Sequence, residues 1–382
     1  MEVDDGSSLD KTEIRRIILR LVSIHHCHPG MVIAKTIYTE QGLVLIAKGT
    51  MLTERIINLL KKRNISFLYV EDDRLKDIEV TDSIPVELRV EALNAINEVY
   101  EQISMENSKK SRVFDGVSIE KLKLALKDLM KEIKSKNNVI NLLADMFSYD
   151  SYTISHSTNV TLYTIAMAIQ LDFSEKQLME IGIGSMLHDI GKRKIPKEIL
   201  HKKGKLTQEE YEILKLHTEY GFHILRNEPS ISLLSAHCAL QHHEKIDGSG
   251  YPQGLKGDEI HYYSKILAVA DVFDALTSDR PYRKALLPHE AMEVLYAETY
   301  THFDPKYVKV FQQSVATYPV GITVTLNTGE TGVVVAYHKN FPNRPTVRVI
   351  TDEKGNSLEN PYDLELLKYP SIVIADCETI LK

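Results

Sequence analysis

Cysteine is scarce in this chain of 382 residues. Cys27, Cys238 and Cys377 lie far apart and form no CxxC pair, which argues against structural disulfides and suits a reducing cytoplasm. No apolar run reaches the length of a membrane span. The acidic, polar opening MEVDDGSSLDK does not resemble a signal peptide, so a cytoplasmic protein without a membrane partner is expected. An excess of basic charge is also missing. Lys and Arg number 46 against 53 Asp and Glu, a formal net charge of −7. That leaves no electrostatic footprint for duplex nucleic acid or an anionic membrane. There is no Walker P-loop, no GxGxxG before a helix and no sign of a serine or cysteine nucleophile. What remains is an ordinary globular composition, 43% hydrophobic and 26% charged, long enough for two or three domains. Histidine stands out: there are 15, and many fall in the middle third.

The pattern divides the chain into four regions, giving a multidomain, mainly α fold. Residues 1–83 are expected to form a small N-terminal α/β module with a regulatory or architectural use. Within it, 11–22 is a short amphipathic segment. MVIAKTIYT and GLVLIAKGT read as a hairpin turning at Glu40–Gln41 with Gly42 beside it. Thr53 is placed to cap a helix, and ISFLYVE reads as a strand. The cluster His25, His26, Cys27, His28 is not expected to bind metal: neighbouring residues cannot all turn to one ion, and no second cluster follows at finger spacing. Residues 84–146 form a helical connector, with Pro85 at a first helical position and Ser118 as a cap. Its apolar stripes leave room for a homodimer seam without requiring one. Residues 147–317 are helical with short loops and carry the chemistry. Residues 318–382 form a β-rich appendage, with ITVTL, GVVVAY and TVRVI as strands, expected to pack on the catalytic domain.

The stretch SMLHDIGK, 185–192, puts His188 and Asp189 side by side at the end of an apolar helical run. A buried pair of this kind needs a counter-charge, and a metal supplies one. Gly191 lets the chain turn, and Lys192 brings a cation back to the same place. Further candidate ligands are His156, His217, His242, His243 and Asp271. His217 is expected in the helix that opens with the capping box Thr207–Glu210, sharing a face with Ile213 and Leu214. Asp271 sits in the apolar helix ILAVADVFDALT, with Asp274 on the same face. Any one of these histidines alone would be an ordinary core residue. Together, seven ligand-type side chains exceed the needs of one metal and suit two ions sharing a carboxylate. Histidine with carboxylate fits iron, manganese or zinc better than magnesium or calcium. Such a pair can polarise a phosphodiester and bring a bridging water into hydroxide range. Arg280, Arg283 and Lys284 add groups suited to phosphates and guanine edges. In the loop 247–257, Gly248 and Gly250 permit close backbone approach and Tyr251 offers a ring for stacking on a base.

HDIGK (188–192), HHEKIDGSGYP (242–252) and DVFDALTSDRPYR (271–283) resemble, in order, the motifs of the HD-GYP domain. That is a branch of the HD metal-dependent phosphohydrolases, and the resemblance covers roughly residues 147–317. The flanking module and β tail are also similar to segments found beside this domain in some bacterial members. The resemblance implies a helical domain around a metal centre that degrades cyclic di-GMP to linear pGpG and often on to GMP. It implies that His156, His188, Asp189 and Asp271 hold a first metal, and that Asp189 bridges to a second held by His217, His242 and His243. Lys192 would hold the scissile phosphate and help the leaving oxygen. Gly250, Tyr251, Arg280 and Arg283 would contact the nucleotide, and the Gly250–Tyr251–Pro252 signature is intact. Some members add a third metal through a glutamate at the position of Tyr152. A phenol with a pKa near about 10 is a poor replacement, and Asp150 lies on another face. The expected cofactors are therefore two divalent ions, iron or manganese first and zinc as the alternative. Two other readings stay open: a cyclic dinucleotide sensor without turnover, and a phosphohydrolase of another cyclic dinucleotide or nucleotide.

Overall fold

A computed structural model of the chain describes residues 20–63, 65, 67–72, 84–103, 114–135, 147–148, 152–202, 204–278, 285–338 and 341–378. Its buried apolar side chains fall into two cores. One lies in the middle of the chain and is helical. The other joins the N-terminal module to the C-terminal sheet.

The N-terminal module runs β1 (Arg20–Ser23), β2 (Ile37–Thr39), β3 (Val44–Ile46), α1 (Glu54–Lys62) and β4 (Phe67–Val70). The expected hairpin is β2–β3, and Gly42 supplies the positive φ of its turn, +78°. Thr53 caps α1 by accepting the Ile56 N–H at 3.3 Å. Residues 20–22 depart from the amphipathic segment expected there: they belong to β1, antiparallel to β4. Leu21 and Val22 are both buried, which an extended strand between two layers allows.

Two helices follow, α2 (Val86–Glu101) and α3 (Gly116–Ser135). Pro85 is the residue before α2 rather than its first. The cap of α3 is Asp115, whose carboxylate accepts the Ser118 N–H at 2.6 Å, so Ser118 lies inside the helix. An ionised acceptor at a helix N-terminus outcompetes a hydroxyl one turn later. After β5 (Phe147–Ser148), which runs parallel to β2, come α4 (Tyr152–Gln170), α5 (Glu175–Leu187), α6 (Lys197–Leu200), α7 (Gln208–Lys215), α8 (His217–Arg226), α9 (Leu233–Gln241), α10 (Tyr262–Thr277), α11 (Pro288–Ala297) and α12 (Pro305–Ser314). The two connector helices share the core of this bundle: Tyr100 and Leu126 are buried with Ile165, Phe273 and Phe311. None of the described helices is long and apolar enough to cross a membrane.

The C-terminal strands β6 (Thr323–Leu326), β7 (Thr331–His338), β8 (Phe341–Thr351), β9 (Ser357–Glu365) and β10 (Ile374–Glu378) form an antiparallel sheet in the order β10–β6–β7–β8–β9. This gives a multidomain, mainly helical protein with a small α/β module and a β-rich C-terminal part. The sheet reaches the helical domain as expected, where β8 lies against α12. Its buried Val324, Val333, Val347 and Val349 also share a core with Leu21, Ile33, Leu68 and Tyr69 of the N-terminal module. The Leu21 N–H donates to the Gly321 carbonyl and the Tyr69 hydroxyl to the Val320 carbonyl, each at 2.9 Å. Neither small layer buries enough apolar surface alone, and pairing them makes one sufficient core.

Candidate metal centre

Five helices converge on one point. His156 lies one turn inside α4. His188 and Asp189 follow the last residue of α5, and His242 and His243 follow the last of α9. Asp271 projects from the middle of α10. The capping box Thr207–Glu210 exists, but α7 ends at Lys215 and His217 opens the separate helix α8. Ile213 is 38% exposed while His217 is buried. The break at Leu216 therefore turns His217 inward, away from the face that carries Ile213. Gly191 also serves differently from the expected turn. A β-carbon there would lie 1.9 Å from the His217 carbonyl oxygen and 2.5 Å from the Gly221 nitrogen. Its role is close contact with the first turn of α8, which is what brings His217 to His188.

Among the described residues, three sets of donor atoms each have their atoms within 4.8 Å of one another: His156–His188–Asp271, His217–His242–His243, and His188–Asp189–His242, which joins the first two. Asp189 lies between them. Its Oδ2 is 3.5 Å from His188 Nε2 and 3.9 Å from His156 Nε2. Its Oδ1 is 3.6 Å from His217 Nε2 and 3.9 Å from His242 Nε2. One carboxylate thus presents one oxygen to each of the first two sets.

Tautomers follow from the backbone. His188 Nδ1–H donates to the Ser185 carbonyl and His217 Nδ1–H to that of Leu214, both at 2.7 Å. His242 Nδ1–H donates to Ala239 at 3.0 Å. A carbonyl only accepts, so in each neutral ring the proton sits on Nδ1 and a lone pair on Nε2 faces the centre. His217 and His242 bring two such lone pairs to 3.3 Å, an unfavourable approach unless a cation lies against both. With metal–nitrogen bonds of about 2.1 Å, that separation is the span of two ligands on one ion. Buried His188 Nε2 and Asp189 Oδ1 have no hydrogen-bond partner, which in a centre this dry calls for an ion. The residues present fit divalent metal.

Charge supports the same fit. Burial disfavours ionised His217 and His243 and holds them at about 4 and about 3. Burial also lowers His188, and His242 well below the usual histidine range. All four are neutral donors near pH 7. Asp189 is opposed by burial, yet Lys192, His188, His217 and His156 hold it well below the usual carboxylate range. His156 differs. Burial works against its charge, but Asp271 on Nε2 at 2.9 Å and Asp274 on Nδ1 at 2.7 Å raise it to about 9.

A pH profile for the chelator-treated protein follows. Above an unfolded-state value of about 6.5, native His156 holds a proton that the unfolded chain releases, so stability falls as pH rises towards 9. Below about 6.5 the unfolded chain takes up protons that native His217 and His243 refuse, so stability falls towards pH 4. Urea midpoints at pH 4.5, 6.5 and 9 should peak at the middle value. A midpoint that climbs steadily across the range would contradict these assignments.

Around the centre, Lys192 Nζ donates to Asp189 Oδ2 at 2.5 Å. Tyr251 stacks on His243, ring centroids 4.8 Å apart at 32°, and Lys215 Nζ sits 5.8 Å above the Tyr251 ring. Gly250 does permit close approach, but to the chain's own backbone: a β-carbon would lie 2.3 Å from the Lys245 nitrogen. Arg280, Arg283 and Lys284 lie outside the described residues, as does Asp150, and of Tyr152 only the backbone is described.

Two residues of the site escaped sequence reasoning. Buried Glu244 accepts the N–H groups of Gln253 and Leu255 at 2.7 and 3.0 Å, fixing the loop that carries Tyr251. Asn159 donates to Asp274 at 2.9 Å. Their only signals were position: Glu244 follows the histidine pair directly, and Asn159 is one turn beyond His156.

Residues 138–307 match the family model described as HD domain. Residues 323–380 match the one described as KOW domain associated with HD domain. The region 138–307 is thus similar to HD domains. It is 39% identical over 226 residues to a protein of Pseudomonas aeruginosa named cyclic di-GMP phosphodiesterase, covering 58% of this chain and 54% of the relative. It is 36% identical over 219 residues to one of the same name from Thermotoga maritima, covering 57% and 58%. With a Vibrio cholerae protein named 3′3′-cGAMP-specific phosphodiesterase 2 it shares 39% over 196 residues, covering 51% and 37%. The matches thus span between 37% and 58% of these relatives' lengths.

Proposed function

We propose that this chain is a metal-dependent phosphodiesterase that opens cyclic di-GMP to linear pGpG, with GMP as the further product. The observation that carries the proposal is Asp189, whose two oxygens face different members of two adjoining sets of nitrogen and carboxylate donors. In this reading His156, His188 and Asp271 hold one ion, His217, His242 and His243 the other, and Asp189 bridges them. Bound there, two divalent ions, iron or manganese first and zinc as the alternative, supply Lewis acidity and a nucleophile from water at neutral pH.

The protein's own groups do the rest. The backbone carbonyls of Ser185, Leu214 and Ala239 fix the ring orientations. Lys192 stands beside the bridging carboxylate, where it meets an incoming phosphate and can give a proton to the leaving oxygen. Glu244 holds the loop that presents Gly250 and Tyr251, and the Tyr251 ring offers a face to a base. Arg280 and Arg283 complete the nucleotide contacts. We assign the protein to the cytoplasm, where Cys27, Cys238 and Cys377, none of them in a disulfide, stay reduced.

A second substrate, 3′3′-cGAMP, is favoured by the Vibrio cholerae match. Phosphate contacts do not separate the two substrates; base contacts do. The full chain loaded with manganese(II) or iron(II) should convert cyclic di-GMP to pGpG on chromatography, with about two metals per chain. Faster turnover of 3′3′-cGAMP would reassign the substrate. Binding of either dinucleotide without turnover would make the protein a sensor. About three metals per active chain would overturn the role given to Tyr152.

A further inference from the structure

Arg89 is among the largest fully buried side chains, 1% exposed. It lies on α2, well before residue 138, where the HD match begins. Its Nη2 donates to the side-chain oxygen of Asn159 on α4. The amide nitrogen of Asn159 donates to Asp274 Oδ1 at 2.9 Å. The other oxygen of Asp274 accepts from His156 Nδ1 at 2.7 Å, and His156 Nε2 faces Asp271 Oδ1 at 2.9 Å. A continuous line of hydrogen bonds therefore runs from α2 to the metal-facing nitrogen of His156. The same helix reaches the centre's surroundings twice more. The Tyr100 hydroxyl lies 3.4 Å from Ser157 Oγ, and Glu101 pairs with Arg193, beside Lys192, at 3.4 Å.

The chemistry of an amide explains what Arg89 does in that line. The two ends of the Asn159 side chain are alike in shape and opposite in function: one only accepts, the other only donates. A guanidinium is always charged and only donates, so Arg89 selects the state in which the oxygen of Asn159 faces α2 and the nitrogen faces Asp274. Without it the amide can turn over and put an oxygen against a carboxylate. Asp274 Oδ1 would then lose the Asn159 donor and the carboxylate would turn, and with it the proton partner that aims His156. A buried network of this type acts as a unit.

We infer that Arg89 is a positioning residue for the His156–His188–Asp271 metal subsite, acting through Asn159 and Asp274. The inference rests on the proposed reading of that subsite as a metal site. The unit that binds metal therefore extends upstream of the HD match to α2, and a displacement of α2 is felt at His156.

The test uses the full chain, manganese(II) alone as probe and competition against a chelating indicator as readout, so turnover is not required. Arg89→Met and Asn159→Leu should each weaken binding at one of the sites by about 10- to 100-fold, the usual effect of removing an outer partner of a ligand. The double variant should be no weaker than the weaker single one, because both remove the same link. Arg89→Lys keeps the buried charge but lacks the planar fork; it should fall between wild type and Arg89→Met, and it supplies the measurement if Arg89→Met does not fold. Binding within twofold of wild type in all the folded variants overturns the inference, as do losses that multiply in the double variant. A wild-type chain that takes up no manganese, iron or zinc sinks the metal reading itself, a result distinct from either.

Discussion

Asp189→Asn is expected to lose the proposed phosphodiesterase activity by about three orders of magnitude or more, equivalent to roughly 4 kcal/mol of transition-state stabilisation. The amide keeps the size of the carboxylate but has one donor end and no charge. Asp189 offers one oxygen to His188 and His156 and the other to His217 and His242, and asparagine cannot serve both sets as an acceptor. Metal content should fall with activity, since the imidazoles with the single carboxylate of Asp271 lack the negative charge between the two sets that holds two divalent ions together. The metal-free fold should survive. Lys192, the cation left without its partner, is 26% exposed and can turn to water, so the uncompensated-charge penalty of a sealed interior does not apply in full. Elemental analysis and product chromatography on the same preparation test this. A variant that keeps both its metals and its turnover would remove the bridging role.

The second large effect is expected from Gly191→Ala, a change of one methyl. The new carbon would lie 1.9 Å from the His217 carbonyl oxygen and 2.8 Å from its carbonyl carbon. Both are backbone atoms, so no side chain can rotate away, and α8 must retreat. Destabilisation of about 4 kcal/mol or more is expected, in the range reserved for overpacking and buried strain, together with weaker metal binding because His217 moves with α8. Gly116→Ala is the control: a β-carbon there has nothing within 4 Å, and the change should be close to neutral. Urea midpoints and metal content for both variants decide the matter. Equal midpoints for Gly191→Ala and wild type would mean the contact yields easily, and the account of how His217 is placed would fail.

The contrast between these two residues shows what was legible in the amino-acid order. Ligand type and helical spacing declared His156, His188, Asp189, His217, His242, His243 and Asp271, because buried carboxylates and repeated inward histidines are anomalous in apolar helices. The structure brings all seven to one place. The reason for Gly191 was not legible. A glycine that allows a turn and one that allows another segment to touch look the same in one dimension, and the touching segment, at His217 and Gly221, arrives from elsewhere in the chain. Helix breaks were equally opaque. Nothing around Leu216 carries a glycine or proline to announce the end of α7. Asn159 and Glu244 stayed hidden because a polar residue declares itself only once its burial is known. Strands β9 and β10 lack the continuous apolar run of β7 and hold their place by pairing rather than by pattern.

The core common to β1, β4 and the C-terminal sheet has a topological consequence. The helical domain hangs between two halves of one small domain, entering near residue 84 and leaving near residue 315, rather than sitting as a bead on a string. The body is tied at more than these two points, since β5 pairs with β2 and β8 lies against α12, which leaves it few ways to rotate. Arg89 lies just beyond the entry point. Strain applied to the module at β1 or β4 would therefore reach the bundle at the attachment nearest its own metal-facing network.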